Sequence, residues 1–420
     1  MKRSETERRV VVTGYGALCA LGEDSQQIWD SIMQYRLGYR IHELKDKSIN
    51  AKFFGFMEPN KKRYEGLPKS ITKMLPVFAK NALAAAREAI DMAFGKDADL
   101  DKFYDPFQRG VIVGTGWGGL DEANANHETY RMTGTQSSFA TILSMNNVAT
   151  AAISMNWRAR GYQNTTISAC AAGTMAIGDA FAAIRSGAAN MMLAGGSESL
   201  RGESSIWAID IIQALSKEQE DPARACCPFN QGRNGFILSE GAAILCLEDY
   251  DHAVRRGANI LAEITGYANY SDAYDMTAPA KDMGARVRAI QMALQTAGKA
   301  PSSLSYINAH GTSTPLNDVN ESESIKMAIG ETAYAIPISS TKSYTGHLIG
   351  AAGAVESVIC LKAIETGILP ATIHLNDPDP ACDLNYIPNQ HMEGVDVKVA
   401  LNLSFGFGGA NCAVIFEKCR

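Results

Sequence analysis

The chain has 420 residues, is 46% hydrophobic and carries a formal net charge of −6. It is long enough to bury one large core or two fused ones, and its acidic balance speaks against a nucleic-acid binder, which needs a basic surface to neutralise phosphates. No apolar run approaches the ~20 residues of a membrane span, and the polar opening MKRSETERR lacks the apolar segment of a secretion signal, so a cytoplasmic protein without a membrane span is expected.

Residues 9–16, RVVVTGYG, read as a buried strand running into a glycine turn. The following GYGALC lacks the third glycine of a dinucleotide-binding GxGxxG, and no acidic residue ends a second strand ~20 residues on, which argues against a Rossmann site. Residues 41–68 are polar, mixed in charge and read as irregular. Residues 71–94 carry an amphipathic helical pattern, with Pro76 near its start and Gly95 as its stop. Lys61, Lys62, Arg63, Lys69 and Lys73 gather around that start, either as solvated surface or as a docking patch for an acidic partner. Residues 109–120, RGVIVGTGWGGL, form another strand into a glycine turn, in which Trp117 serves core packing or a pocket wall.

Residues 164–187, NTTISACAAGTMAIGDAFAAIRSG, organise the rest. The first four are β-prone, as a buried strand ending at a turn is; Ser168-Ala169 makes the turn, and an Ala-rich helix runs on to Gly187. Cys170 therefore falls at a helix N-terminus, where unpaired N–H groups and the helix dipole favour negative charge. A thiol so placed is expected to have a lowered pKa and to suit a nucleophile; the alternative is a small buried cysteine in an Ala/Gly-rich helix start. The nine cysteines contain no CxxC pair, so their spacing suggests no disulfide framework and no metal site. Residues 190–198, NMMLAGGSE, add a strand and complete a β-α-β unit, which points to an α/β fold with a largely parallel sheet. From Ala258 the pattern restarts: ILAEITGYANY is similar to VVVTGYG, and VKVALNLSFGFGG to RGVIVGTGWGG. Two related halves, residues 1–255 and 256–420, are expected.

Three segments of the second half carry polar chemistry. Residues 306–318, YINAHGTSTPLND, read as a strand followed by a polar loop; residues 339–353, SSTKSYTGHLIGAAG, as a strand end turning into a small-residue helix; residues 401–411, LNLSFGFGGAN, as a glycine hairpin between strands. His310 and His347 thus lie just after strand ends, where open α/β sheets place their sites, and together with Cys170 they suit Cys–His chemistry.

SACAAG, NAHGTSTPLND, STKSYTGHLIGAAGA and SFGFGGAN, in this order, closely resemble the signature segments of the elongating β-ketoacyl-acyl-carrier-protein synthases, and the resemblance covers nearly the whole chain. It implies the thiolase fold, two similar βαβαβαββ halves in a five-layer αβαβα sandwich. It implies a decarboxylative condensation of an acyl thioester with malonyl-carrier, in fatty-acid or type II polyketide or polyene elongation. No cofactor is implied on the enzyme, because the phosphopantetheine arm belongs to the partner acyl carrier protein. The resemblance places the nucleophile on Cys170, the active-site histidines on His310 and His347, and the neighbouring lysine on Lys342. Asp318 and Glu321 match the acidic residues after the first histidine, and Phe407 the mobile phenylalanine that gates the acyl pocket. Thr312 and Thr314 match the pair that binds the pantetheine arm, and Trp117 a residue lining the acyl pocket. Lys342 is expected to set the electrostatics around His347, or to form a plain ion pair with Glu321. A homodimer is implied, or a heterodimer with a related subunit.

Departures from the pattern concern the carrier and the acyl group. Asn234 and Ser239 stand where the fatty-acid enzymes carry Asp and Gly; Gln213 replaces an arginine that contacts the carrier; RMTGTQSS at 131–138 lacks a basic pair; and Trp117 replaces a smaller residue. These point to a specialised pathway with its own carrier, similar to the nodulation-factor or polyene-type synthases. A thiolase is disfavoured because SFGFGG stands where those enzymes have a second cysteine in CxG, with Cys412 only after the glycines. A non-catalytic partner subunit is disfavoured because Cys170 and both histidines are present.

Overall fold

A computed structural model of the chain describes residues 7–419; Met1–Thr6, most of the polar opening stretch, lie outside them. Ten strands form one mixed sheet: β1 (Val10–Cys19), β2 (Arg109–Gly114), β3 (Gln163–Asn164), β4 (Met191–Glu198), β5 (Gly241–Asp249), β6 (Ala262–Ser271), β7 (Tyr306–Asn308), β8 (Ile338–Ser339), β9 (Val399–Gly406) and β10 (Ala410–Glu417). Their spatial order is β8-β7-β9-β10-β6-β1-β5-β4-β2-β3. Read outward from the β1–β6 seam, both halves have the same order. All five strands of each half also repeat their senses: two antiparallel pairings, then two parallel ones. The seam is antiparallel, Val10 facing Ile264 and Val12 facing Ala262. The sheet is therefore mixed rather than largely parallel, because each half closes on antiparallel strands next to the seam.

This order sorts the two internal echoes. ILAEITGYANY and VVVTGYG are β6 and β1, equivalent strands of the repeat. VKVALNLSFGFGG contains β9, whose counterpart is β4 and not the β2 strand of RGVIVGTGWGG, so that similarity does not follow the repeat.

Among the helices that layer against the sheet are α1 (Val77–Phe94), with the short helix Val148–Asn156 in the same core, α2 (Ala172–Arg185), α3 (Gly284–Ala297), α4 (Pro315–Ile329) and α5 (Ala352–Thr366). Alternate residues of β5 show the layering. Ala243, Leu245 and Leu247 join a core with α2, α5 and the second-half residues Ile264, Ala400 and Val414, whereas Ala242, Ile244 and Cys246 face α1. A separate core packs α3 and α4 on the far side of β7, β9 and β10. The sandwich is α1, first-half strands, α2 with α5, second-half strands, α3 with α4.

Several local expectations are corrected. Gly14 and Gly16 do not turn the chain: β1 runs through both to Cys19. A Cβ at Gly14 would run into the Ala89 carbonyl, and one at Gly16 into that of Ala85. The glycines thus let the alanine face of α1 approach the strand at backbone distance. Helix α1 begins only after Pro76, and Lys69–Thr72 forms a separate turn. Residues 41–68 are not wholly irregular, since Phe53–Gly55 lies between Arg40–Ile41 and Leu238–Ser239 in a small second sheet. The strand before Cys170 is only Gln163–Asn164, exposed at the sheet edge, with Ile167 bridging to Thr115. The polar loop after β7 ends sooner than expected: Thr314 caps α4, Pro315 occupies its first turn, and Asp318 and Glu321 are helical.

Gly14→Ala is expected to lower stability by about 1–3 kcal/mol through overpacking against α1. Urea unfolding checks this; a midpoint equal to that of the parent chain would contradict the close-approach account.

Candidate active site

Cys170 sits in a 3-10 turn, Ala169–Ala171, immediately before α2 and is 4% exposed. Ala169 before it has φ +45°, a left-handed conformation that a residue with a Cβ rarely adopts. The second half repeats the device: Ile349, φ +51°, opens a 3-10 turn before α5. The two elbows meet, for a Cβ on Gly173 would lie 2.7 Å from the Gly350 carbonyl.

His310 follows β7, and His347 lies in the loop between β8 and α5. One nitrogen of each ring and the Cys170 sulfur lie within 4.8 Å of one another, and the rings stand edge to face with centroids 5.3 Å apart. The tautomers follow from their neighbours. The backbone N–H of Ile349 donates to His347 Nδ1 at 3.1 Å, so the ring proton is on Nε2, which is buried without a hydrogen-bond partner among the described residues. The Lys342 ammonium stands 3.4 Å from His310 Nδ1, which again leaves the proton on Nε2. Burial first, then Lys342, holds both imidazoles well below the usual histidine range, so both are neutral donors at pH 7.

Lys342 does not form the expected alternative, an ion pair with Glu321. Its ammonium pairs with Glu356 of α5, not Glu321, and donates to the His310 carbonyl at 2.6 Å. The histidine it touches is His310, and its charge reaches His347 through space. Glu321 instead accepts the backbone N–H groups of His310 and Gly311, each at 2.7 Å, and fixes the turn after β7. Asp318 accepts the Phe229 N–H at 2.9 Å and lies 3.5 Å from Arg233.

A cavity of about 340 Å³ opens onto Cys170, His310 and His347, with Thr312, Thr314 and Phe407 also in its wall. Trp117 is not in the wall of this cavity; it packs against an apolar cluster that contains Cys170, Phe54 and Ile206. Gln213 lines the cavity, and Asn234 accepts from the Ser216 hydroxyl at 2.9 Å. Ser239 fills the space left by Gly55 and Gly346.

The expected acidic thiol is not found. Burial pushes the Cys170 thiol up to about 12, against the opposing pull of Lys342 and of the Phe407 and Cys170 N–H groups. Enclosure in a protein core outweighs one helix terminus. One cysteine and two histidines are also a zinc donor set, but the Lys342 ammonium beside His310 opposes a cation there.

Two carboxylates behind the site were missed in the sequence. Glu356 is a lone acid on the buried face of the apolar run AGAVESVICL, which was its only signal. Glu198 ends β4, fully buried, and accepts the N–H groups of Gly116 at 2.5 Å, Trp117 at 3.4 Å and Gly350 at 3.3 Å, so it joins the Trp117 loop to the second elbow.

A cysteine at one elbow and two neutral histidines beside it, at the centre of a duplicated α/β sandwich, define a thiolase-fold condensing enzyme. Residues 7–253 match the N-terminal domain model of the beta-ketoacyl synthases, and residues 261–376 match the C-terminal domain model. The chain belongs to the beta-ketoacyl synthase family, which makes it an acyltransferase. It is 40% identical over 416 residues to 3-oxoacyl-[acyl-carrier-protein] synthase 2 of Synechocystis sp., covering 98% of each chain. Among solved structures it is similar to a type II PKS ketosynthase in complex with its acyl-carrier protein and bound to the hexaketide. That match has a TM-score of 0.89 and 35% identity and covers 98% of this chain and 100% of the other. The ishigamide ketosynthase/chain length factor matches with TM-score 0.89 and 29% identity, over 99% and 100%.

Burial raises the Glu198 carboxyl from 4.5 to about 7. The folded state therefore holds this proton more tightly than the unfolded chain. Its contribution to stability is full below pH 4.5 and is lost as pH rises through 7, a loss of about 3 kcal/mol. Glu198→Gln is expected to flatten the fall in unfolding free energy between pH 4.5 and 8; an unchanged pH dependence would contradict the assignment.

Proposed function

We propose that the chain condenses an acyl group, carried on Cys170, with a malonyl-carrier thioester to give a 3-oxoacyl-carrier thioester and CO₂. The observation that carries this reading is the pair of Nε2–H donors, one of them unpartnered, buried beside a cysteine at a helix start. In the first half-reaction the Cys170 sulfur attacks the acyl thioester, and its proton leaves on the carrier thiol. The N–H groups of Cys170 and Phe407, which face the sulfur in the free enzyme, take the developing oxyanion. In the second, His310 and His347 donate to the malonyl thioester oxygen while the C–CO₂ bond breaks and its electron pair enters the enolate. The enolate carbon attacks the acyl-Cys170 carbonyl, and the Cys170 thiolate leaves and regains a proton from solvent.

Lys342 keeps the histidines neutral and oriented; Glu321 holds the turn that presents His310, and Asp318 ties α4 to Phe229 and Arg233. Phe407, in the glycine turn between β9 and β10, gates the acyl pocket, Thr312 and Thr314 hold the pantetheine arm, and Trp117 limits the acyl channel beyond Cys170. The arm arrives on an acyl carrier protein, so the enzyme needs no cofactor of its own. Residues 1–255 supply the nucleophile and residues 256–420 the histidines, a division supported by the repeated strand order. No helix of the described residues is long and apolar enough to cross a membrane, and a cytoplasmic site suits the soluble carrier. Assembly is as a homodimer, or as a heterodimer with a chain-length-factor type of subunit. The heterodimer is favoured by the ishigamide likeness.

Intact-protein mass spectrometry with a panel of acyl-carrier thioesters tests the reading. An acyl adduct is expected on the parent chain and none on Cys170→Ala, with Trp117→Ile accepting longer acyl groups. An adduct that survives in Cys170→Ala would overturn the nucleophile, and an unchanged chain-length profile would overturn the role of Trp117.

A further inference from the structure

The first turn of α3 carries Arg286 on the buried stripe it shares with Ala289, Ile290, Ala293 and Leu294. The residue is 5% exposed, so a full positive charge lies inside the protein, at the helix end whose dipole disfavours a cation. Its guanidinium stands over the Phe405 ring at 4.2 Å, and its Nε and Nη1 are buried without a hydrogen-bond partner among the described residues. Glu321, Asp272 and Asp318 are the carboxylates near enough to influence it. Each is committed elsewhere: Glu321 to the N–H groups of His310 and Gly311, Asp318 to that of Phe229, and Asp272 to the Asn411 side chain at 2.8 Å. Burial lowers Arg286 only to about 10, so it stays charged at neutral pH. A desolvated cation with idle donors is costly unless a ligand completes it.

Arg286 lines the same cavity as Cys170 and His310. Phe405 links them, its ring 4.2 Å from the guanidinium and 5.8 Å from the His310 ring. A guanidinium matches a planar carboxylate through paired N–H donors. In the condensation reading, on which this inference rests, the second substrate enters with a thioester oxygen for the histidines and a free carboxylate close to it. We propose that Arg286 is a carboxylate subsite of this cavity and that its ligand is the free carboxylate of the extender thioester. The ion pair forms in the bound substrate, and its charge moves to the enolate as CO₂ leaves. Arg286 therefore acts on extender binding and selection rather than on the barrier.

The test uses pantetheine analogues in which nitrogen replaces the thioester sulfur, one malonyl and one acetyl, bound to the whole protein. The parent chain is expected to prefer the malonyl analogue by roughly 10- to 100-fold. Arg286→Leu and Arg286→Gln should bring the ratio close to one, while Arg286→Lys should keep part of it. No preference in the parent chain, or a preference in Arg286→Leu and Arg286→Gln as large as the parent's, would overturn the subsite. A carboxylate on the acyl chain is the other source of this chemistry, and loading of succinyl against butyryl thioesters on Cys170 separates the two. An Arg286-dependent preference confined to loading would overturn the extender assignment. The acyl adduct on the parent chain is measured separately, so failure of the condensation reading is not confused with failure of the subsite.

Discussion

The Lys342 ammonium, buried between the Glu356 carboxylate and the His310 backbone and ring, is the interaction on which the site depends. It closes a loop of the chain from residue 342 to residue 356, with His347 inside it, and anchors that loop to the turn after β7. Its charge disfavours a proton on either imidazole. An ion pair this deep contributes little net stability, because desolvating both charges offsets their attraction. What it provides is geometry and protonation state: two neutral rings whose free N–H groups face one cavity.

The duplicated fold supplies the rest. Each half brings a strained elbow to the centre of the sandwich, but the two are used differently. The first elbow carries Cys170; the second carries Ile349, whose N–H fixes the His347 tautomer, and Gly350, which allows the elbows to pack. Glu198 ties the second elbow to the first-half Trp117 loop, accepting N–H groups of Gly116, Trp117 and Gly350. The nucleophile is held in a buried place, which accounts for its raised pKa. Its reactivity as an acyl acceptor therefore depends on the oxyanion-facing amides and on a bound thioester more than on a free thiolate population.

Much of this was legible in the chain. The helix start at Cys170, the histidines after β7 and β8 and the glycine turn of β9–β10 each announce themselves in local composition, and the structure brings them to one cavity. Pairings between distant segments were not legible. Nothing local says that Lys342 meets Glu356 instead of Glu321, because both acids are buried on helices and only the fold decides which one the ammonium reaches. Gly14 and Gly16 look like a turn because glycine permits one; their actual use, close approach of α1, depends on a helix some 70 residues on. The thiol expectation failed for a related reason, since a helix terminus is visible in sequence and full enclosure is not. Arg286 had a signal that went unused: an arginine in phase with Ile290, Ala293 and Leu294 on the buried face of its helix.

The central claim is that both imidazoles are neutral Nε2–H donors. It is tested most directly by nitrogen-15 NMR of the imidazole rings in the whole protein as pH is varied. The account predicts that His310 and His347 keep the neutral Nε2–H pattern across the range in which an ordinary histidine titrates, around pH 6.5. A ring that gains a proton in that range, or that carries its proton on Nδ1, would contradict it.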